Sequence, residues 1–482
     1  MYQSIIFLAA AATVFLTLFF TRKWKNAFYT VLKVLSIALY TLVLVKQFLA
    51  DSFPVSIVNG GWVGESYLET TDHLQTILRF GYNICYAVIP MAVFTRSRLF
   101  RNIAGYVALP FAVLSAVFFD DFMKYFLDDN PYSAAYDLPG NLRHVLFIAE
   151  LVLAIAIPIA LHIRERHVFN VKSLTEWKNF IVALPLVLLT TMPAYVPQAI
   201  VGSGLKTPTI GSSYHIIWIL ITFVIVMALY YALRFKSYED RYNVCLFLTL
   251  ALFVHCNAIY VMGVTLKRLP FQLCNIAGYF YIIAIIFKLE KMFHFCFLAN
   301  TVGTVFAIVA PDLGVGNFGF WNIHFLWEHT LVLLIPALAM GLRIFKRVSY
   351  KSLKYYMVGF TIYFLFSFIT GTIINGFTEN MVDRVNYFYM FDLNTAYRYF
   401  PFLAFTEDYC YTFSAFGGTF EIYPLVVSFV YVGFTLLNLI FFFAVKYFYK
   451  LEDDHLRLRA SSIDLYEKIT NKESRRPKTF ID

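Results

Sequence analysis

Apolar runs of about twenty residues recur from one end of this chain to the other, and they leave few folds open to it. Each matches the roughly 30 Å of hydrocarbon that a helix crosses at about 1.5 Å per residue. Thirteen such spans are read, over about 3–20, 28–49, 77–94, 102–119, 144–162, 179–198, 214–233, 243–262, 270–287, 292–310, 325–343, 354–375 and 423–446. A soluble domain would carry about a quarter charged residues; here 482 residues are 60% hydrophobic and 14% charged. The expected fold class is all-α, a polytopic helical membrane protein of about 13 transmembrane helices.

The net charge of +9 does not point to nucleic acid, because the cations sit in short loops beside apolar segments rather than on one continuous face. Every second connection is basic: Arg96, Arg98 and Arg101; Arg164, Arg166 and Lys172; Arg234, Lys236 and Arg241; Lys288 and Lys291; Lys346, Arg347 and Lys351. The loops between them, 51–72, 120–137 and 311–322, are acidic or neutral, and only Lys267 and Arg268 break the pattern. The positive-inside rule then expects a multi-pass protein of the cell membrane with its N-terminus outside and its C-terminus cytoplasmic. The first span has no basic segment before it, so no cleavable signal peptide is expected. The six cysteines form no CxxC pair and mostly lie in apolar runs, which argues against a disulfide framework or zinc site. No metal or cofactor motif is read.

The chain is expected to divide into an N-terminal six-helix half (1–200), a second six-helix half carrying the site (201–376), an extracytoplasmic aromatic loop (377–422), a terminal transmembrane helix (423–450) and a cytoplasmic charged tail (451–482). The halves read as degenerate repeats. Asn83-Ile84-Cys85 parallels Leu273-Cys274, Asp120-Asp121 parallels Asp312, and laying Pro158 on Pro336 places Glu150 on Glu328 and Leu151 on His329. The loop is rich in Tyr387, Phe388, Tyr389, Phe391, Tyr397, Tyr399 and Phe400, which suits a lid or an interfacial cap.

Cys274, Asp312 and His329 form the candidate catalytic set. They are read near three helix ends that alternate in direction, and so on one side of the bilayer. A thiol is a nucleophile when a base or a helix N-terminus favours its thiolate, an imidazole is the base available near neutral pH, and a carboxylate can orient that ring. Gln272 and Asn275 flank the thiol, Glu328 precedes the imidazole, and Thr372 and Asn375 close the twelfth span on the same side; these are the candidate substrate-binding residues. His255, Cys256 and Asn257 read as a weaker polar group inside the eighth span.

Leu269-Pro270-Phe271-Gln272-Leu273-Cys274 resembles the Leu-Pro-Leu-His-Leu-Cys signature of the YwaF family of integral membrane proteins, bacterial relatives of eukaryotic transmembrane protein 164. Pro311-Asp312-Leu313, His329-Thr330-Leu331-Val332 and Thr370-Gly371-Thr372 are similar to three further motifs of that family, in the same order, over about residues 240–376. Gln272 departs from it, standing where the family has a histidine. Eukaryotic members are linked to acyl transfer onto lysophospholipids through a Cys and a His, so the resemblance implies Cys274 and His329 as the working pair. The function expected is phospholipid–lysophospholipid transacylation at the outer leaflet, with membrane phospholipids as partners. A membrane transporter or lipid carrier and a noncatalytic scaffold are the alternatives.

Overall fold

The computed structural model describes residues 2–45, 84–94, 97–118, 140–165, 171–176, 197–198, 206–257, 265–378, 380, 384–391 and 401–470. The span expected over 179–198 lies almost wholly outside them. So do the acidic loops 51–72 and 120–137, the start of span 77–94, the ends of spans 28–49 and 243–262, and Arg96 and Arg166. Asn83, Asp120 and Asp121 of the suspected repeat, and Tyr397, Tyr399 and Phe400 of the loop, are outside as well.

Within the described residues the chain is a succession of apolar helices: α1 (Tyr2–Thr21), α2 (Lys25–Val45), α3 (Ile84–Phe94), α4 (Arg98–Val117), α5 (Gly140–Glu165), α6 (Ser213–Leu233), α7 (Tyr238–Asn257), α8 (Leu273–Phe287), α9 (Glu290–Val309), α10 (Phe320–Gly341), α11 (Tyr350–Gly376) and α12 (Pro424–Thr470). Eight of them, among the described residues, are long and apolar enough to cross a bilayer. This is an all-α, polytopic integral membrane protein. Many side chains point outward apolar, Leu220, Ile221, Phe223 and Val224 on α6 among them. That is the pattern of a helix whose solvent is lipid.

The residues fall into two compact units. One comprises Met1–Trp218, Leu250–Gly263 and Asp312–Glu328; the other Ile219–Thr249, Val264–Pro311 and His329–Asp482. In the first, α5 is the central element, with α1, α2 and α4 against it. Its apolar side chains Phe147, Leu151, Ala154 and Ile157 are buried, and small residues such as Ala154 let the neighbours approach. Helix α4 carries one turn of π-helix at Ala104–Ala108, and α5 holds Pro158 within it.

In the second unit α9 is the buried helix, packed by α8, α11 and α12. Gly359 of α11 lets Phe295 of α9 lie so close that a Cβ would fall 2.7 Å from its ring. The connection α8–α9 is a tight reversal through Lys288, at φ 51. Helix α12 runs 47 residues unbroken, about 70 Å at the usual rise, so span and charged tail form one rod as far as Thr470. It is pinned by a charged clasp: Arg347 bonds Glu452 at 2.8 Å and Asp453 at 2.9 Å, and Arg343 bonds Asp453 at 2.6 Å.

The aromatic loop is more than a cover. Its 3-10 turn Tyr387–Tyr389 sends Phe388 between α11 and α12, against Phe360, Phe364 and Phe434 at ring separations of 5.4–6.0 Å. Phe388 and Tyr389 both take positive φ to do so. Beyond it, β1 (Tyr411–Ala415) and β2 (Gly418–Ile422) form a hairpin whose turn, Phe416-Gly417, has positive φ at both positions, as a tight two-residue turn requires.

Candidate functional site

The candidate residues settle into two neighbourhoods, one in each unit. In the second unit, Pro270 and the 3-10 turn Leu266–Arg268 hold off the start of α8 until Leu273, with Gln272 as its extended N-cap residue. Cys274 is therefore in the first helical turn. It is half-buried, and its Sγ donates to Asn275 Oδ1 at 3.1 Å. The Tyr363 phenol of α11 donates to Phe271 O at 2.7 Å and has Cys274 as an electrostatic neighbour. Here α8 and α11 are laced together beside the thiol.

The far end of α11 is fastened to the same loop segment. Asn375 makes two bonds to the Val385 backbone, donating to its oxygen at 2.9 Å and accepting from its nitrogen at 2.8 Å. Gln272 Nε2 donates to Asn386 O at 3.2 Å. Two candidate binding residues thus grip consecutive residues of one segment, which closes over the start of α8. Gly371 completes the seat, since a Cβ there would run into the Phe391 ring. Thr372 bonds its own helix at Phe368 O, 2.8 Å.

His329, in the second unit, is buried at 4% exposure. The sequence placed Trp327-Glu328-His329 at the opening of their helix, and this is corrected: α10 begins at Phe320, so His329 lies about midway along it. The physical reason is a remote cap. Phe320 N–H is taken by Gln198 Oε1 at 2.8 Å, a partner with no local sequence signature. Asn322 then ties the preceding turn through Gly314 and Gly316 at 2.6–2.9 Å.

In the first unit, Glu328 is buried and accepts from Cys256 Sγ at 3.4 Å, while His324 Nε2 lies 3.3 Å from its other oxygen. His324 stacks on Phe320, and His255 meets the edge of Trp327, which in turn packs on Trp218. Asp312 is exposed in the turn before α10, its backbone oxygen accepting from Trp321 Nε1 at 3.0 Å. Sequence reasoning missed His324, although its i,i+4 spacing to Glu328 was there to be read. It also missed Tyr363 and the loop residues Arg384 and Asn386. Among the described residues no three His, Cys, Asp or Glu side chains are grouped to hold a metal ion.

No curated protein and no solved structure matches the chain. The TMEM164 family matches residues 210–439, from α6 into the membrane part of α12. That stretch includes the thiol, both histidines of α10, the loop and the hairpin. Over residues 210–439 the chain is similar to the TMEM164 family.

Proposed function

We propose that the protein is a phospholipid transacylase working at the outer leaflet through Cys274 and His329. One observation carries the reading: the family match spans a half-buried cysteine in the first turn of an apolar helix, where backbone N–H groups and the helix dipole favour negative charge. Cys274 gives its proton to His329 and the thiolate attacks the ester carbonyl of a donor phospholipid; the C–S bond forms, the C–O bond breaks, and the departing alkoxide takes that proton from His329. The hydroxyl of a lysophospholipid then attacks the thioester, giving its proton to His329 while the C–S bond breaks and the thiolate returns. Asp312 is proposed as orienting group, and Gln272, Asn275, Glu328, Thr372 and Asn375 as surroundings of the substrate. The segment 384–391 shuts water out of the thioester, since hydrolysis competes with transfer.

The orientation with N-terminus outside, the thirteen spans and the twin halves belong to the same proposal. For the halves, the support is that Glu150 and Glu328 are both buried in helices with proline eight positions on, Pro158 and Pro336.

The test is acyl transfer between phospholipid and lysophospholipid by the purified chain in mixed micelles. Cys274→Ala and His329→Ala should each abolish it while the protein stays folded; transfer undiminished in Cys274→Ala sinks the thioester. A second reading has one specific observation behind it: the buried His324–Glu328 pair inside an apolar unit is the kind of group that carries protons in transporters. That reading predicts proton-dependent substrate uptake into proteoliposomes, lost in Glu328→Gln.

A further inference from the structure

The hairpin β1–β2 bridges two span ends. A Cβ on Gly418 would fall 2.6 Å from the backbone oxygen of Gly376, the last residue of α11, and 3.1 Å from the Phe377 ring. From there β2 runs to Ile422, just before α12 begins at Pro424. A strand that starts on one helix end and finishes at another lies where hydrocarbon gives way to headgroups.

The two faces of the hairpin differ in kind. Alternate residues of a strand point to opposite sides. The register sets Tyr411 opposite Ile422 and Phe413 opposite Phe420 on one face, and Thr412 opposite Glu421 and Ser414 opposite Thr419 on the other. The polar face is turned to protein, since Arg384 of the loop donates to Glu421 at 2.8 Å. The apolar face rests on the end of α11 through Phe420, whose ring meets Phe377 at 5.5 Å and Phe413 at 5.2 Å. Beyond Phe420 it is bare: Phe413 is half-exposed, Tyr411 more so, and Phe416 at the tip is 96% exposed. A cap facing water would have the reverse order.

The bare face continues a lipid-facing one. Ile362, Phe366, Ile369, Ile373 and Phe377 are all exposed, and spacings of three and four residues put them on one side of α11. Phe377 ends that stripe and is the residue on which the hairpin sits. The turn is an independent observation. Phe416 holds φ 54 at the first position of a two-residue turn that favours Asn or Gly. Phenylalanine is strained there, and at 96% exposure its ring gives the fold no packing in return.

We propose that the β1–β2 hairpin is an interfacial anchor, its apolar face and the Phe416 ring set into the acyl boundary of the bilayer beside α11. The occupant is lipid rather than a second copy of the chain, because the bare face is the end of a stripe that the bilayer already covers. Tied to the hairpin by Arg384, the loop segment 384–391 is held at the same depth. The anchor goes beyond the transacylase reading and needs none of its catalytic residues.

The experiment places a single NBD fluorophore on the full chain, in a background without its accessible thiols (Cys85→Ser, Cys274→Ala, Cys410→Ser), reconstituted at high dilution into phosphatidylcholine vesicles. Phe416→Cys and Tyr411→Cys carry the label on the apolar side, and Ser414→Cys carries it on the polar one. Phosphatidylcholine brominated on its acyl chains should remove most of the emission at 416 and 411 and little at 414; iodide on both sides of the membrane should do the reverse. Phe416→Asn gives the turn a residue it favours, so it should keep or raise the melting temperature in detergent. It should nevertheless move a label at 411 away from the brominated lipid and toward iodide. The proposal is overturned if iodide reaches 416 as readily as 414, or if neither quencher reaches 416, the sign of protein over the tip. It is overturned as well if the label at 411 is indifferent to Phe416→Asn.

Discussion

Cys256 and Cys274 sit in neighbourhoods made of the same materials and arranged for opposite ends. Around Cys256 everything is sunk: the thiol is 2% exposed, its carboxylate partner Glu328 3%, and His324 3%. Each has a protein partner, and aromatic rings wall them in. Around Cys274 the thiol is half-buried, a neutral amide accepts from it, and a loop segment rather than a helix forms the roof. Inside a bilayer a polar group without a partner is costly, so a satisfied cluster deep in a unit reads as interhelical glue. A half-buried one at a helix start is where a substrate can enter. The difference is one of access rather than residue type.

That contrast is broken most directly by removing each centre and reading both activity and stability. Cys274→Ala should lower acyl transfer by at least ~10³-fold, since a nucleophile and its base act as a unit, and should leave thermal stability in detergent unchanged. His324→Ala should do the reverse. Stripping one partner from a buried pair destabilises by about 3 kcal/mol or more, whereas Glu328→Gln, which can still hydrogen-bond both neighbours, should lose under roughly 1.5 kcal/mol. If His324→Ala melts as the wild type does but transfers no acyl groups, the deep cluster is functional and the contrast fails.

Much of this was legible beforehand, for physical reasons. A twenty-residue apolar run has no alternative in water, so α1, α6, α9 and α12 appear close to where composition puts them. Pro311 follows the last turn of α9 as expected, but α8 starts three residues after Pro270, and Pro158 and Pro336 lie inside α5 and α10. What could not be read is what depends on distant partners. Gln198 capping Phe320 moved the start of α10 and carried His329 to mid-helix. The paired hydrogen bonds from Asn375 to the Val385 backbone, which fasten the loop to the end of α11, have no local sequence signature either. The loop's aromatics read as a lid or an interfacial cap, yet Phe388 packs edge-on against the stacked rings of Phe360 on α11 and Phe434 on α12.

The roof over Cys274 can be tested for being detachable. Asn375→Ala removes one side of both bonds to Val385 and leaves a buried N–H and C=O unmet, a loss of about 1–3 kcal/mol confined to segment 384–391. Hydrogen exchange at Val385 should rise while amides in α9 keep their protection. Gly371→Leu should give the same local loosening by a different route, driving into Phe391. Equal loosening throughout α9 would mean the segment is an integral part of the helix packing, and the contrast between roof and core would be lost.

The smallest expected effect sharpens the comparison most, because it reads access alone. In a Cys410→Ser, Cys85→Ser background, which removes the exposed thiol and the other half-buried one, maleimide should label Cys274 first and Cys256 roughly tenfold or more slowly, since the buried thiol reacts only through local opening. Asn375→Ala should speed Cys274 and leave Cys256 alone. A charged, membrane-impermeant reagent added to intact cells should also reach Cys274, as its proposed place at the outer ends of the helices requires. Labelling of Cys256 at the same rate would show that α10 opens as readily as the loop, and the deep cluster would then be as accessible to a substrate as the thiol beneath the roof.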